Sequence, residues 1–204
     1  MITIGKFRFS WLEINEMLLS AVFLAFIFGY PFSGCNSVGC VLAYTLVLTV
    51  IIGPAFILHE CAHKLVAQSY DCWSEYRMSK GFLLLALIMK MTLGVALAVP
   101  GATYFSPFVF GIPFIKLKKE HVGKIAIAGI LTNVVLAIIF FLLGPYLGVF
   151  GAIAAVGAEF NIQLALFNLI PLNPFDGGKV MDWSWTMWLR TVIAVLLLQQ
   201  FIVR

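Results

Sequence analysis

The sequence predicts an all-α polytopic membrane protein, with about five to six transmembrane helices and a re-entrant element, a β-hairpin being one form open to it, after a helix that carries an HExxH motif. Three observations predict this fold class. Of 204 residues, 62% are hydrophobic and only 11% are charged. The apolar residues fall in runs long enough to cross a hydrocarbon layer of roughly 30 Å. Lys and Arg gather mainly between those runs, as topology markers do. Several spans in a chain of this length leave no room for an ATP-binding module, a nucleic-acid reader or a separate soluble domain. The net charge of +4 is therefore read as membrane topology rather than as a sign of an acidic partner.

The apolar segments run over about 14–30, 38–58 and onward, 82–99, 125–147, 152–170 and 189–203. No internal repeat or low-complexity linker divides them, so 1–204 reads as a single domain with its motif-bearing core at about 51–180. Lys6 and Arg8 precede the first segment, an arrangement that a signal peptide shares, and "FSGC" faintly resembles a lipoprotein cleavage box. Phe32 stands where such boxes usually have Leu, and no small-residue cleavage site is convincing, so a retained span is expected. Cys35 and Cys40 share the next loop and could form a disulfide in an oxidising compartment, whereas Cys61 and Cys72 are expected as free thiols.

Lys6 and Arg8 place the amino terminus on the cytoplasmic side, and the uncharged loop at 31–39 then lies outside. Lys64, Arg77 and Lys80 mark the inside again, as do Lys116, Lys118, Lys119 and Lys124. An even number of crossings must separate Lys80 from Lys116. Between them Lys90 interrupts the apolar run, and Pro100, Gly101, Pro107, Gly111 and Pro113 break any second helix. Such backbone is tolerated at membrane depth only where protein covers it or it lines an aqueous cavity. A re-entrant hairpin within 82–113 is favoured; a single span over 82–99 would put the lysine cluster outside. From residue 125 the chain goes out, turns through "GPYLGVFG", returns over 152–170 and leaves again through a segment begun by Trp183, Trp185 and Trp188.

His59-Glu60-Cys61-Ala62-His63 is the HExxH pattern, and on a helix its four-residue step puts both imidazoles on one face, able to grip one metal. Ionisable groups inside a span are costly, which favours a functional reading over an accidental match. Glu60, beside a ligand, stands where a general base would take a proton from a zinc-bound water. Catalytic zinc sites use three protein ligands, so two histidines are one short. "NLIPLNPFDGGKV" offers Asp176, between two prolines and two glycines and on the same predicted side of the membrane; an aspartate that merely caps the next helix is the alternative.

HExxH at the inner end of one span, "GILTN" (Gly129 to Asn133) near the start of a later one and "NPFDGG" in the next form an ordered set. That set resembles the site-2 protease family of intramembrane zinc metalloproteases, and most of all its compact archaeal and bacterial members. The resemblance implies one zinc ion per chain held by His59, His63 and Asp176, with Glu60 activating water. It also implies that Asn133 lies near the active site, positioning the substrate carbonyl or supporting the transition state, with Asn173 in a supporting role, and that a re-entrant β element follows the HExxH helix. The family usually has Pro after the first Gly of "GILTN", where this chain has Ile130. The substrate implied is a transmembrane helix of another protein, cut within the bilayer in regulated intramembrane proteolysis, on the cytoplasmic side of the cell membrane. From the residues alone, a polar bundle contact is an equal reading for Asn133 and the favoured one for Glu159, Asn161 and Gln163. Lys90 is given no catalytic role. Two rival functions are a membrane metal transporter and a catalytically silent, helix-binding relative. A transporter would want ligands at several depths, but His121 is the only other histidine, and the intact Glu60 argues against silence.

Overall fold

Ser10 starts the first long helix with a capping box: its hydroxyl accepts the Glu13 N–H at 3.1 Å, and Glu13 Oε1 accepts the Ser10 N–H at 2.8 Å. The structure is a computed structural model and describes residues 1–4, 7–95, 100–107 and 117–203. Lys6, Lys116, Gly111, Pro113 and the parts of the predicted re-entrant stretch at 96–99 and 108–113 lie outside the described residues.

Strands β1 (Ile2–Ile4) and β2 (Phe7–Phe9) pair antiparallel and lead into α1 (Trp11–Gly29). There follow α2 (Val38–Ser69), β3 (Cys72–Met78), α3 (Lys80–Leu93), β4 (Gly101–Pro107) and α4 (Lys119–Leu143). Two 3-10 turns, Gly144–Tyr146 and Gly148–Phe150, carry the chain into α5 (Gly151–Asn168), then α6 (Asp176–Trp183) and α7 (Trp185–Ile202). Among the described residues, α1, α2, α4 with its following turn, α5 with its preceding turn, and α7 are long and apolar enough to cross a membrane. Large apolar side chains on these helices, such as Leu18, Phe23, Leu46, Val50, Leu142 and Leu197, are exposed, as lipid-facing positions are. The protein is thus mostly helical, with five candidate spans and two small two-stranded sheets, and reads as a multi-pass membrane protein.

After the HExxH helix the chain forms a strand, a short helix and a second strand. Helix α3 has 14 residues, about 21 Å at 1.5 Å per residue, too short for a hydrocarbon core. Ser79 caps its start by accepting the Phe82 N–H, and Gly94, at φ 72°, ends it in the left-handed conformation that glycine adopts freely. Among the described residues the strand partner of β4 is β3, which precedes α3. Trp183 ends α6 instead of opening the last span, whose cap is Ser184, accepting the Met187 N–H at 3.3 Å.

Two compact units can be described. The first comprises Met1–Ile57 and Glu75–Tyr104. Its buried residues include Met17, Ala21, Leu24, Ala25, Ile52, Ala55, Phe56 and Tyr76. Tyr76 packs edge-on against Phe56, and its hydroxyl bonds Ser20 Oγ at 2.8 Å. The fully buried Glu13 accepts the Tyr76 N–H through Oε2 at 3.2 Å, and Glu16 Oε2 accepts the Met78 N–H at 2.9 Å. Carboxylates one helical turn apart on α1 therefore satisfy alternate N–H groups of β3. A disulfide joins Cys35 and Cys40, with Cα atoms 5.4 Å apart, while Cys61 and Cys72 are in no disulfide among the described residues.

The second unit comprises Leu58–Ser74 and Phe105–Arg204. Its core is Ala126, Ile130, Ala137, Ile162, Ala165, Leu169, Val180 and Val195, from α4, α5, α6 and α7, with the Leu169 carbonyl accepting the Trp188 indole N–H at 2.8 Å. Small residues let these helices approach closely: a Cβ on Gly123 would collide with Trp183. Lys64, a boundary marker in the sequence reading, is buried and donates to the Ser74 carbonyl at 2.6 Å.

Candidate metal centre

The site lies wholly in the second unit and is built from the last three turns of α2, the start of α4, the middle of α5 and the first turn of α6. The step from His59 to His63 stacks the two rings on one face of α2, with centroids 4.5 Å apart. Their Nε2 atoms are 2.9 Å apart. Asp176 is the first residue of α6, delivered by a chain reversal that brings the Gly177 backbone against the Leu169 carbonyl, where a Cβ would stand at 2.3 Å. Its Oδ2 lies 3.2 Å from His59 Nε2 and 2.9 Å from His63 Nε2. All three side chains are buried. Glu60 is buried as well, and one ligand atom from each of His59, Glu60 and His63 falls within 4.8 Å of the others.

The hydrogen bonds around the rings fix their tautomers. His63 Nδ1 donates to the Ile125 carbonyl at 2.7 Å. His59 Nδ1 donates to Asn133 Oδ1 at 2.6 Å, and Asn133 Nδ2 donates in turn to Asn161 Oδ1 at 3.0 Å. Asn161 Nδ2 ends the series on the Gly157 carbonyl at 2.8 Å. With both Nδ1 atoms donating, both Nε2 atoms present lone pairs, and they face each other and a carboxylate oxygen. Three acceptors so close repel unless a cation or a proton stands among them. Tetrahedral zinc, with ligands at about 2.0–2.1 Å, sets its ligand atoms about 3.3 Å apart. Separations of 2.9–3.2 Å are near that spacing, so the donor set fits the ion in both geometry and chemistry.

Asp176 sits outside the spans. Burial alone would raise its carboxyl pKa, but positive charge beside it, on His63 when that ring is protonated and on Lys179, holds it well below the usual carboxylate range. Lys179 donates from Nζ to Asp176 Oδ1 at 2.9 Å. The sequence reading passed over Lys179, although a Lys three residues after an Asp that opens a helix could have marked it. Of the other residues named from the sequence, Asn133 is fully buried and turned to His59, whereas Asn173 is exposed in the turn before α6. Asn161 joins the site through Asn133, while Glu159 and Gln163 are exposed.

No family model matches the chain, and no solved structure matches it. Two curated relatives do. One, named "Putative zinc metalloprotease MJ0611", from Methanocaldococcus jannaschii, is 38% identical over 192 residues, covering 89% of this chain and 90% of the relative. The other, named "Putative zinc metalloprotease YwhC", from Bacillus subtilis, is 30% identical over 151 residues, covering 67% of each chain. Near full-length similarity to the first, together with a buried His-Glu-His cluster of zinc-binding type, is the basis for placing the protein: the chain belongs to the family of these zinc metalloproteases.

Proposed function

We propose that the protein is an intramembrane zinc endopeptidase of the site-2 protease type, hydrolysing peptide bonds within transmembrane segments of membrane-protein substrates. The observation that carries this reading is the convergence of His59 Nε2, His63 Nε2 and Asp176 Oδ2 beside Glu60, at buried positions on and near a helix long enough to cross a membrane. His59, His63 and Asp176 would hold one zinc ion, which when bound supplies a Lewis acid that polarises a carbonyl and lowers the pKa of water. Glu60 takes a proton from the attacking water onto a carboxylate oxygen and returns it to the amide nitrogen of the departing segment. Asn133 acts through His59, keeping Nδ1 occupied and Nε2 aimed inward. Asn173 is assigned a supporting place at the rim, in keeping with its exposure.

A substrate helix shields its own carbonyls by hydrogen bonding, so a segment that unwinds locally or extends is the form to be cut. Helix-breaking residues in the substrate should therefore favour cleavage. The basic residues Lys118, Lys119 and Lys124 at the start of α4, with Arg77 and Lys80, support an orientation with the site towards the cytoplasmic side of the cell membrane. The test is cleavage of a tagged transmembrane substrate by the purified protein in detergent. Wild type should cut, and Glu60→Gln or a zinc chelator should abolish cutting. Zinc uptake without cleavage across a panel of helix-destabilised substrates would point to a helix-binding relative instead.

A further inference from the structure

Asp176 divides its two oxygens. Oδ2 faces both histidines, at 3.2 and 2.9 Å, while Oδ1 receives the Lys179 ammonium at 2.9 Å. Lys179 stands on the first turn of α6, where the helix dipole disfavours a cation. Its placement there is offset by the ion pair with Asp176, whose side chain is only 8% exposed against 30% for that of Lys179. The ammonium thus approaches from the wetter side and the histidines from the drier one. A carboxylate with both oxygens free can chelate a divalent ion through both, which would use up coordination positions that a catalytic site must keep open.

We propose that Lys179 is a positioning residue: by holding Oδ1 it restricts Asp176 to one oxygen towards the metal and keeps one side of the ion open. The assignment rests on the metalloprotease reading above. Nothing in the pattern His59, Glu60, His63, Asp176 requires it, since another group on Oδ1, or none, would complete the same ligand set.

The experiment compares wild type, Lys179→Met and Lys179→Arg as purified full-length proteins loaded with cobalt in place of zinc. Lys179→Met removes the charge and keeps the aliphatic stem, so the packing of α6 is preserved. The readouts are metal content, the visible absorption of cobalt, which weakens as coordination number rises, and substrate cleavage. Lys179→Met is expected to keep one metal ion per chain with a weaker visible band, and to cleave about 10- to 100-fold more slowly, the usual cost of losing a group that orients a ligand. Lys179→Arg should restore both the band and the rate. A Lys179→Met spectrum identical to wild type, loss of metal uptake in that variant, or an arginine variant that behaves like Met overturns the assignment alone. Wild-type protein that takes up no cobalt overturns the metalloprotease reading and this assignment with it.

Discussion

A Cβ placed on Gly129 would stand 2.5 Å from Nε2 of His63 and 2.7 Å from Cε1 of His59. Helix α4 meets the two imidazoles at a position where only hydrogen fits. Gly129→Ala is expected to push the rings off their common point and lower zinc affinity and cleavage by about 10- to 100-fold, with helix content unchanged by circular dichroism. Competition against a chromophoric chelator measures the affinity, and a wild-type value in the variant would contradict this account of α4.

The bond from His59 Nδ1 to Asn133 Oδ1 asks only for an acceptor. Asn133→Asp should therefore retain zinc nearly as well as wild type, whereas Asn133→Leu should lose about 10- to 100-fold in affinity. Equal affinities in the two variants would show that Asn133 does not act through His59.

In the first unit Glu13 accepts N–H groups from Ser10 and Tyr76 while fully buried. Glu13→Ala removes both acceptors and should cost about 1–3 kcal/mol of stability. Glu13→Gln, which keeps one acceptor oxygen, should cost less. Denaturant unfolding in micelles checks the order, and an alanine variant as stable as wild type would mean the bonds contribute nothing net.

Orientation can be read from the thiols. Burial, with Asp71 beside it, raises the Cys72 thiol pKa and slows its reaction near neutral pH, whereas Cys40 is exposed once its bond to Cys35 is reduced. With the amino terminus inside, a membrane-impermeant maleimide should label Cys35 and Cys40 in intact reduced cells. Labelling of that pair only after permeabilisation would reverse the proposed topology.

The parts of the fold that follow a single strong period were legible in the sequence. The long apolar runs became the five candidate spans, and the four-residue step of HExxH was enough to pair two rings. Strand β3 was missed because its inward set, Cys72, Ser74 and Tyr76, is small or polar, so its alternation with Trp73, Glu75 and Arg77 does not register as hydrophobic. The burial of Lys64 was not legible locally, because the Ser74 carbonyl that accepts from it is brought there only once β3 is folded. At the site, Asp176 could be named from its flanking Pro and Gly. The shared tautomer control by Asn133, Asn161 and the Ile125 carbonyl depends on which helices meet, information that no local spacing contains.

The central claim is that Glu60 serves hydrolysis inside the bilayer. The most direct measurement is the mass of the fragments released from a single-span substrate, its helix weakened by a central Gly-Pro pair, in liposomes containing wild type or Glu60→Gln. The account predicts a cut within the hydrophobic segment by wild type and none by Glu60→Gln. Fragments ending only outside that segment, or the same fragments from both proteins, would contradict it.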